Sequence, residues 1–106
     1  MGMGKVQPLP LNDANFLQRL RLIVADSSRI VLLKHAKERM RKRKISFRQV
    51  LDCLRSGRIA ERAHLSIQGN WKATLEHPSS GDVVKVTVAL EEQEGGELAV
   101  VVTVMH

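Results

Sequence analysis

Two stretches of the chain carry apolar residues at the spacing of an α-helix. The first follows residue 12, where an i, i+3, i+4 pattern predicts one buried helical face, formed by Phe16, Leu17, Leu20, Ile23 and Val24. Asn12 or Asp13 can cap the start of this helix, and the Asp-Ser-Ser break at 26–28 predicts its end. Residues 1–10 contain two Gly and two Pro without periodicity, which predicts a flexible N-terminal tail.

The second helical stretch begins at Ser46. Ser46 and Gln49 have the spacing of a capping box, in which each side chain bonds to the other residue's backbone amide. Ile45 and Val50 have the spacing of a hydrophobic staple. We expect Gly57 to end this helix in the left-handed conformation, which Gly adopts without a steric penalty. The predicted buried stripe comprises Phe47, Val50, Leu51 and Leu54.

Between these stretches lies a helix with very few apolar residues, predicted from about Lys34 to Lys44. Its apolar stripe consists of Ala36 and Met40 only. The short apolar run at 30–33 before it fits either a buried strand or the opening of the same helix. The β-branched residues in this run favour a strand.

Beyond residue 57 the apolar positions follow period two, which is typical of strands. Turn residues at 68–70, 78–82 and 93–97 separate the predicted strands, and 98–104 is apolar on both faces, as in a central strand covered on both sides. We therefore expect one α+β domain over 11–106, with helices packed on a small, largely antiparallel three- to four-stranded sheet and an extra N-terminal helix. Inward-facing positions are expected at Ile59, Ala63, Leu65, Ile67, Trp71, Ala73, Leu75, Val84, Val86, Val88 and Leu90.

The charge is unevenly distributed. The net charge is +6, and eight of the 17 Lys and Arg lie between Lys34 and Arg48. Six of the 11 acids lie in the C-terminal third, so one basic face for a polyanion is expected. Aromatic residues are scarce, which favours contacts to phosphates over stacking on several bases. No apolar run reaches membrane-spanning length and no signal-peptide pattern is present, so a cytoplasmic protein without a membrane contact is expected.

Cys53 is the only cysteine, which excludes an intramolecular disulfide and a multi-cysteine zinc cluster. Its place beside Leu54 on an apolar helix predicts a buried thiol. The chain has no zinc-protease, phosphate-loop or dinucleotide-binding motif, so no metal and no cofactor are expected.

The candidate site lies on the basic helix. Steps of about 100° per residue place His35, Arg39 and Arg43 in one row beside the apolar stripe, where an imidazole and two guanidiniums could converge on one phosphate. A solvated charged face is the alternative for such a helix. The expected nucleic-acid contacts are Lys34, Lys37, Arg41, Lys42, Lys44 and Arg48.

The run His35-Ala36-x-x-Arg39-Met40-x-x-Arg43-x-Ile45-Ser46, the helix end Val50-x-x-x-Leu54-x-x-Gly57 and the closing Val101-Val102-Thr103-Val104 resemble the bacterial domain-of-unknown-function family 4258. The likeness covers residues 29–104. The family's usual Gly after the second Arg is Lys44 here, and its frequent aromatic near the end is Met105. The resemblance implies a relative of the RelE/ParE toxin superfamily, whose core is a strand, two helices and a three-stranded meander. Its members include ribonucleases, gyrase poisons and proteins without known activity, so fold does not fix reaction.

The resemblance makes metal-independent RNA cleavage the first functional hypothesis. His35 would be the acid or base, Arg39 and Arg43 would clamp phosphate, and Thr103 would donate a hydrogen bond to the same oxygen. The second proton carrier stays open among Glu61, His64, Glu76 and His77. The rival hypothesis is a non-catalytic module that binds RNA, the ribosome or an acidic antitoxin-like protein. A third is structural, with His35 as a helix cap and Arg39 or Arg43 paired with an acid such as Glu61.

Overall fold

A computed structural model describes residues 11–106. Three helices, α1 (Asp13–Val24), α2 (Lys34–Arg43) and α3 (Phe47–Ser56), accompany five strands, and a single 3₁₀ turn (Ser27–Arg29) follows α1. The strands are β1 (Ile30–Leu32), β2 (Arg58–Leu65), β3 (Trp71–Ser79), β4 (Asp82–Gln93) and β5 (Gly96–Met105). The N-terminal tail predicted for 1–10 lies outside the described residues.

The sheet is mixed, with strand order β1-β5-β4-β3-β2. The α+β class is confirmed, but the sheet has five strands and not three or four. The strand favoured for residues 30–33 is confirmed as β1, which forms one edge of the sheet, and its three residues pair in parallel with β5, Ile30 opposite Ala99 and Leu32 opposite Val101. The other neighbours are antiparallel, as expected for strands joined by short turns.

One apolar core joins the three helices to alternate side chains of the sheet. The helices contribute unequally: α1 buries four residues, α3 buries three and α2 buries only Ala36. The predicted face of α1 is confirmed, because Phe16, Leu20 and Val24 have no exposed surface. Cys53 is also fully buried, as predicted.

The capping box that starts α3 is confirmed, since Gln49 N donates to Ser46 Oγ and the Gln49 side chain accepts from Ser46 N. Gly57 does follow the last residue of α3, as predicted, but the predicted left-handed conformation is wrong. Its backbone is extended, with φ −73° and ψ 170°. A Cβ at Gly57 would lie 2.5 Å from the Cys53 carbonyl oxygen and 2.8 Å from that of Glu76, so Gly is needed for close approach between α3 and β3.

Three apolar positions predicted to face the core are exposed, at or just beyond the ends of elements. Phe47 is 38% exposed because the buried face of α3 runs through Val50, Cys53 and Leu54 instead. Leu65 and Ile67 are also exposed, although they continue the period-two pattern. Register shifts interrupt β2, and only its Ile59 and Ala63 pack against the core.

Polar contacts hold α1 against the rest of the fold. The Arg55 guanidinium of α3 donates to the Val24 carbonyl oxygen at the end of α1, at 2.9 and 3.1 Å. Arg19 forms an ion pair with Glu97 and donates two hydrogen bonds to its carboxylate. Arg21 donates to the Gly57 carbonyl oxygen. The middle and the C-terminal end of α1 are thereby tied to β5, to α3 and to the Gly57 that follows α3.

Candidate functional site

Helix α2 is attached through a narrow strip and is otherwise exposed. Ala36 is its only buried residue, and Arg39 and Met40 are half-buried. Met40 packs against the core beside Ala36. The remaining side chains of the helix point to solvent: Lys34, His35, Lys37, Glu38, Arg41, Lys42 and Arg43.

Residues 34–44 carry the net charge of the chain. They hold seven Lys and Arg and one acid, Glu38, which gives +6. The other ten Lys and Arg are balanced by ten acids. No side chain caps α2 and no acid lies in its first turn, where Lys34 occupies the first helical position. A cation there opposes the positive end of the helix dipole, so part of this charge does not stabilise the helix.

The cations of α2 have no acidic partner among residues 11–106. The ion pairs within 4.0 Å in that part of the chain all lie on other elements. The structural alternative for this helix is therefore not observed. Leu33, and not His35, occupies the N-cap position of α2. Neither Arg39 nor Arg43 forms an ion pair with Glu61 or with any other Asp or Glu among residues 11–106.

An open groove of about 460 Å³ runs along α2, lined by His35, Glu38, Arg39, Arg41 and Lys42. It brings an imidazole and a carboxylate together with three cations. The sequence analysis did not include Glu38 among the candidate site residues. Its i+3 spacing from His35 could have indicated it, because this spacing places the two side chains at neighbouring positions on one face of the helix. The groove therefore contains two groups able to carry a proton and several able to bind phosphate.

The other predicted contacts surround this groove but do not line it. Arg43, Lys34, Lys37 and Lys44 are exposed at other positions on or just beyond α2. Arg48 lies on α3, where its Nε is 3.4 Å from Asp52 Oδ1. That side chain is 82% exposed, so the pair contributes little and leaves the guanidinium accessible.

Thr103 lies away from the groove. It is directly opposite Thr87 on β4, and the hydroxyl oxygens of Thr87 and Thr74 are 2.8 Å apart. Thr87 alternates with the core residues Val86 and Val88, so this threonine row faces away from the helices. The structure thus places Thr103 on the opposite face of the sheet from His35.

The four open choices for a second proton carrier also lie elsewhere. None of Glu61, His64, Glu76 and His77 lines the groove. Glu76 accepts a hydrogen bond from Arg58 Nε at 2.9 Å, across β2 and β3. Glu38 is the carboxylate that the fold places beside His35.

Lys44 ends α2 in the left-handed conformation, with φ 55° and ψ 44°. A residue with a Cβ is disfavoured there by about 1–2 kcal/mol, and Gly is the usual residue at such a position. The exposed ammonium of Lys44 adds to the basic residues 41–43 of the last turn. The chain therefore keeps a cation where backbone geometry favours Gly.

No metal-binding cluster of three or more His, Cys, Asp or Glu side chains occurs within residues 11–106. Burial raises the pKa of the Cys53 thiol to about 12, so this side chain stays protonated and unreactive near neutral pH. Within the same residues, no helix combines the length and apolarity needed to cross a membrane.

A family model described as Domain of unknown function (DUF4258) matches residues 32–106. The chain belongs to this family. The matched region contains α2, α3, four complete strands and the whole basic groove, whereas α1 precedes it. No curated protein and no solved structure matches the chain. The basic helix is thus part of the DUF4258 domain, and α1 is an addition to it.

Proposed function

We propose that this DUF4258 protein binds RNA through backbone phosphates along α2. The observation that carries this proposal is the concentration of the net charge in residues 34–44, that is α2 and the Lys44 that ends it, whose cations are without ion-pair partners among residues 11–106. Cations held close together repel one another, and a bound polyanion relieves this repulsion while releasing its own counterions. Guanidiniums and ammoniums on several sides of a helix are suited to successive phosphates.

Neutralising substitutions test this binding. Lys37→Gln/Arg41→Gln/Lys42→Gln removes three exposed cations of α2, and Arg58→Gln/Arg62→Gln/Lys85→Gln removes the same charge from β2 and β4. Fluorescence anisotropy with a short labelled single-stranded RNA should show a much weaker complex for the α2 variant alone. If both variants weaken binding equally, RNA is attracted by the overall positive charge of the protein and not by α2 in particular. Absence of RNA binding by the wild type would refute the proposal.

RNA cleavage without a metal is the second candidate function, and the pairing of His35 with Glu38 in one groove favours it. One of these groups would take the proton from a ribose 2′-hydroxyl, whose oxygen then attacks the adjacent phosphorus. The other would give a proton to the departing 5′-oxygen, which leaves a 2′,3′-cyclic phosphate. Arg39 would stabilise the added negative charge on the phosphoryl oxygens.

The order of a strand, two helices and an antiparallel meander, β1-α2-α3-β2-β3-β4-β5, supports the proposed RelE/ParE-like relationship and, with it, a ribonuclease, although the meander here has four strands and the superfamily core has three. Thr103 has no part in this mechanism because it lies on the other face of the sheet. Arg43 stays outside the groove lining, and we assign it to phosphate binding.

Cleavage and binding are separated by His35→Ala and Glu38→Gln. RNA should be incubated with each protein in the presence of a chelator, with and without ribosomes. A ribonuclease predicts that both variants lose cleavage while their RNA affinity stays close to that of the wild type. Absence of cleavage by the wild type in both settings would leave RNA binding as the activity. If the wild type binds an acidic protein through α2 and does not bind RNA, the protein-binding alternative is favoured.

A further inference from the structure

Phe47 is the one exposed aromatic side chain among residues 11–106. Phe16 is fully buried, Trp71 packs half-buried against the core, and the chain has no Tyr. Phe47 leaves 38% of its surface accessible at the first position of α3. The core does not require it there, because α3 already buries Val50, Cys53 and Leu54. The exposed ring is therefore available to a ligand.

Cations lie on both sides of this ring along the chain. Lys44 precedes Phe47 by three residues, which limits the distance between their Cα atoms to about 10 Å, and Arg48 follows it directly. Lys44 is exposed in its left-handed turn. The Arg48 side chain is 82% exposed, and its Nε lies 3.4 Å from Asp52 Oδ1. An exposed ring with one accessible cation before it and another after it in the sequence suits one nucleotide base and the phosphates that flank it.

We propose that Phe47 stacks on an unpaired base of a single-stranded RNA, while Lys44 and Arg48 contact the phosphates on either side of that nucleotide. This inference rests on the proposed RNA binding by α2 and names its substrate as single-stranded. A duplex keeps its bases stacked inside the helix and offers none to Phe47, whereas unpaired bases stack readily on aromatic side chains. The footprint of the RNA then extends from α2 across the turn at Lys44 onto α3.

The test compares three proteins on two probes. Wild type, Phe47→Leu and Phe47→Trp are titrated against a labelled single-stranded RNA and against the same RNA in a blunt duplex. Phe47→Leu keeps an apolar side chain but removes the ring, and it should weaken single-strand binding by roughly fivefold to a hundredfold, the loss expected for one stacked base. Phe47→Trp should bind as tightly as the wild type or more tightly. Duplex affinity should stay unchanged in both variants.

Leu65→Ala provides the matched control, because Leu65 is also an exposed apolar residue but lies on β2. It should leave both affinities unchanged, and urea unfolding verifies that all variants are folded. Unchanged single-strand affinity of Phe47→Leu, or an equal loss on the duplex, would overturn the stacking role while leaving the α2 proposal intact. Failure of the wild type to bind either probe would overturn both.

Discussion

Helices α1 and α2 are similar in length, 12 and 10 residues, and both contain arginines, but they use their side chains differently. Helix α1 buries four apolar residues and α2 only one. Arg19 and Arg21 of α1 have hydrogen-bond acceptors within the fold. In the part of the chain that the structure describes, the cations of α2 have no ion-pair partner.

The arginines of α1 thus contribute contacts within the fold, whereas the cations of α2 contribute no ion pair among the described residues. Arg55 of α3 donates to the Val24 carbonyl at the end of α1, a group that the helix leaves without an internal partner. The exposed cations of α2 satisfy no comparable group, and Lys34 lies at the wrong end of the helix dipole. We expect mutations around α1 to change stability and mutations on α2 to change RNA affinity.

The largest effect is expected from the buried face of α1. Leu20→Ala should lower the free energy of unfolding by about 2–5 kcal/mol, because it removes a fully buried side chain and leaves a cavity. Leu22→Ala on the same helix is the control, since Leu22 is 75% exposed and its change should stay within about 0.5 kcal/mol. Urea unfolding measures both, and similar losses for the two variants would contradict this placement of α1.

Two arginine substitutions give the next effect, and they should act on different properties. Arg55→Gln should cost about 1–3 kcal/mol of unfolding free energy, because the Val24 carbonyl loses a charged donor. Arg41→Gln should change stability by less than about 0.5 kcal/mol yet weaken RNA binding. Urea unfolding measures the stability of both variants, and titration with RNA measures their affinity. A stability loss for Arg41→Gln as large as that for Arg55→Gln would remove the distinction between the two helices.

The buried Cys53 of α3, whose Sγ lies 3.7 Å from the Val84 carbonyl oxygen on β4, should make stability depend on alkaline pH. Its pKa is raised by burial from 9.0 to about 12, so the unfolded chain ionises first. Stability is retained below pH 9 and falls by about 1.4 kcal/mol per pH unit between the two values. Cys53→Ala should remove this slope while lowering stability at neutral pH. Urea unfolding across pH 8–11 tests it, and equal slopes for the two proteins would show that the thiol is not desolvated.

The smallest effect concerns Lys44, where stability and binding should change in opposite directions. Lys44→Gly should raise the free energy of unfolding by about 1 kcal/mol, because Gly adopts a φ of 55° without strain. RNA affinity should fall with the loss of the ammonium.

Ser80→Gly is its control, since Ser80 has a φ of 51° in the turn between β3 and β4. It should raise stability by a similar amount and leave affinity unchanged. An unchanged RNA affinity for Lys44→Gly would exclude Lys44 from the binding surface.

Local signals in the sequence predicted much of the fold. The capping box of Ser46 and Gln49 depends only on backbone amides within the same four residues, so the predicted start of α3 is confirmed. The α1 face from Phe16 to Val24 follows from helical periodicity and was also correct. The basic helix was recognisable because charge and spacing are properties of one short segment, and of the predicted row His35, Arg39 and Arg43 the first two line the groove whereas Arg43 does not.

The failures depended on contacts between distant segments. Gly57 is required by its close approach to two carbonyl oxygens, that of Cys53 in the last turn of α3 and that of Glu76 on β3, and no local pattern reports the approach of β3. Thr103 faces away from α2 because of the register between β4 and β5. Phe47 has the spacing of the predicted apolar stripe of α3, but the face of the helix that is buried contains Val50, Cys53 and Leu54 and leaves Phe47 exposed. The face of a residue near the end of an element is decided by packing that spacing alone does not specify.

The most direct test of the central claim is the salt dependence of RNA affinity. The dissociation constant of wild type and of the two triple variants is measured over a series of salt concentrations with the same single-stranded RNA. Removing three phosphate contacts should reduce the slope of log affinity against log salt by about 2 for Lys37→Gln/Arg41→Gln/Lys42→Gln. Arg58→Gln/Arg62→Gln/Lys85→Gln should keep the wild-type slope. Equal slopes for wild type and the α2 variant would contradict RNA binding by this helix.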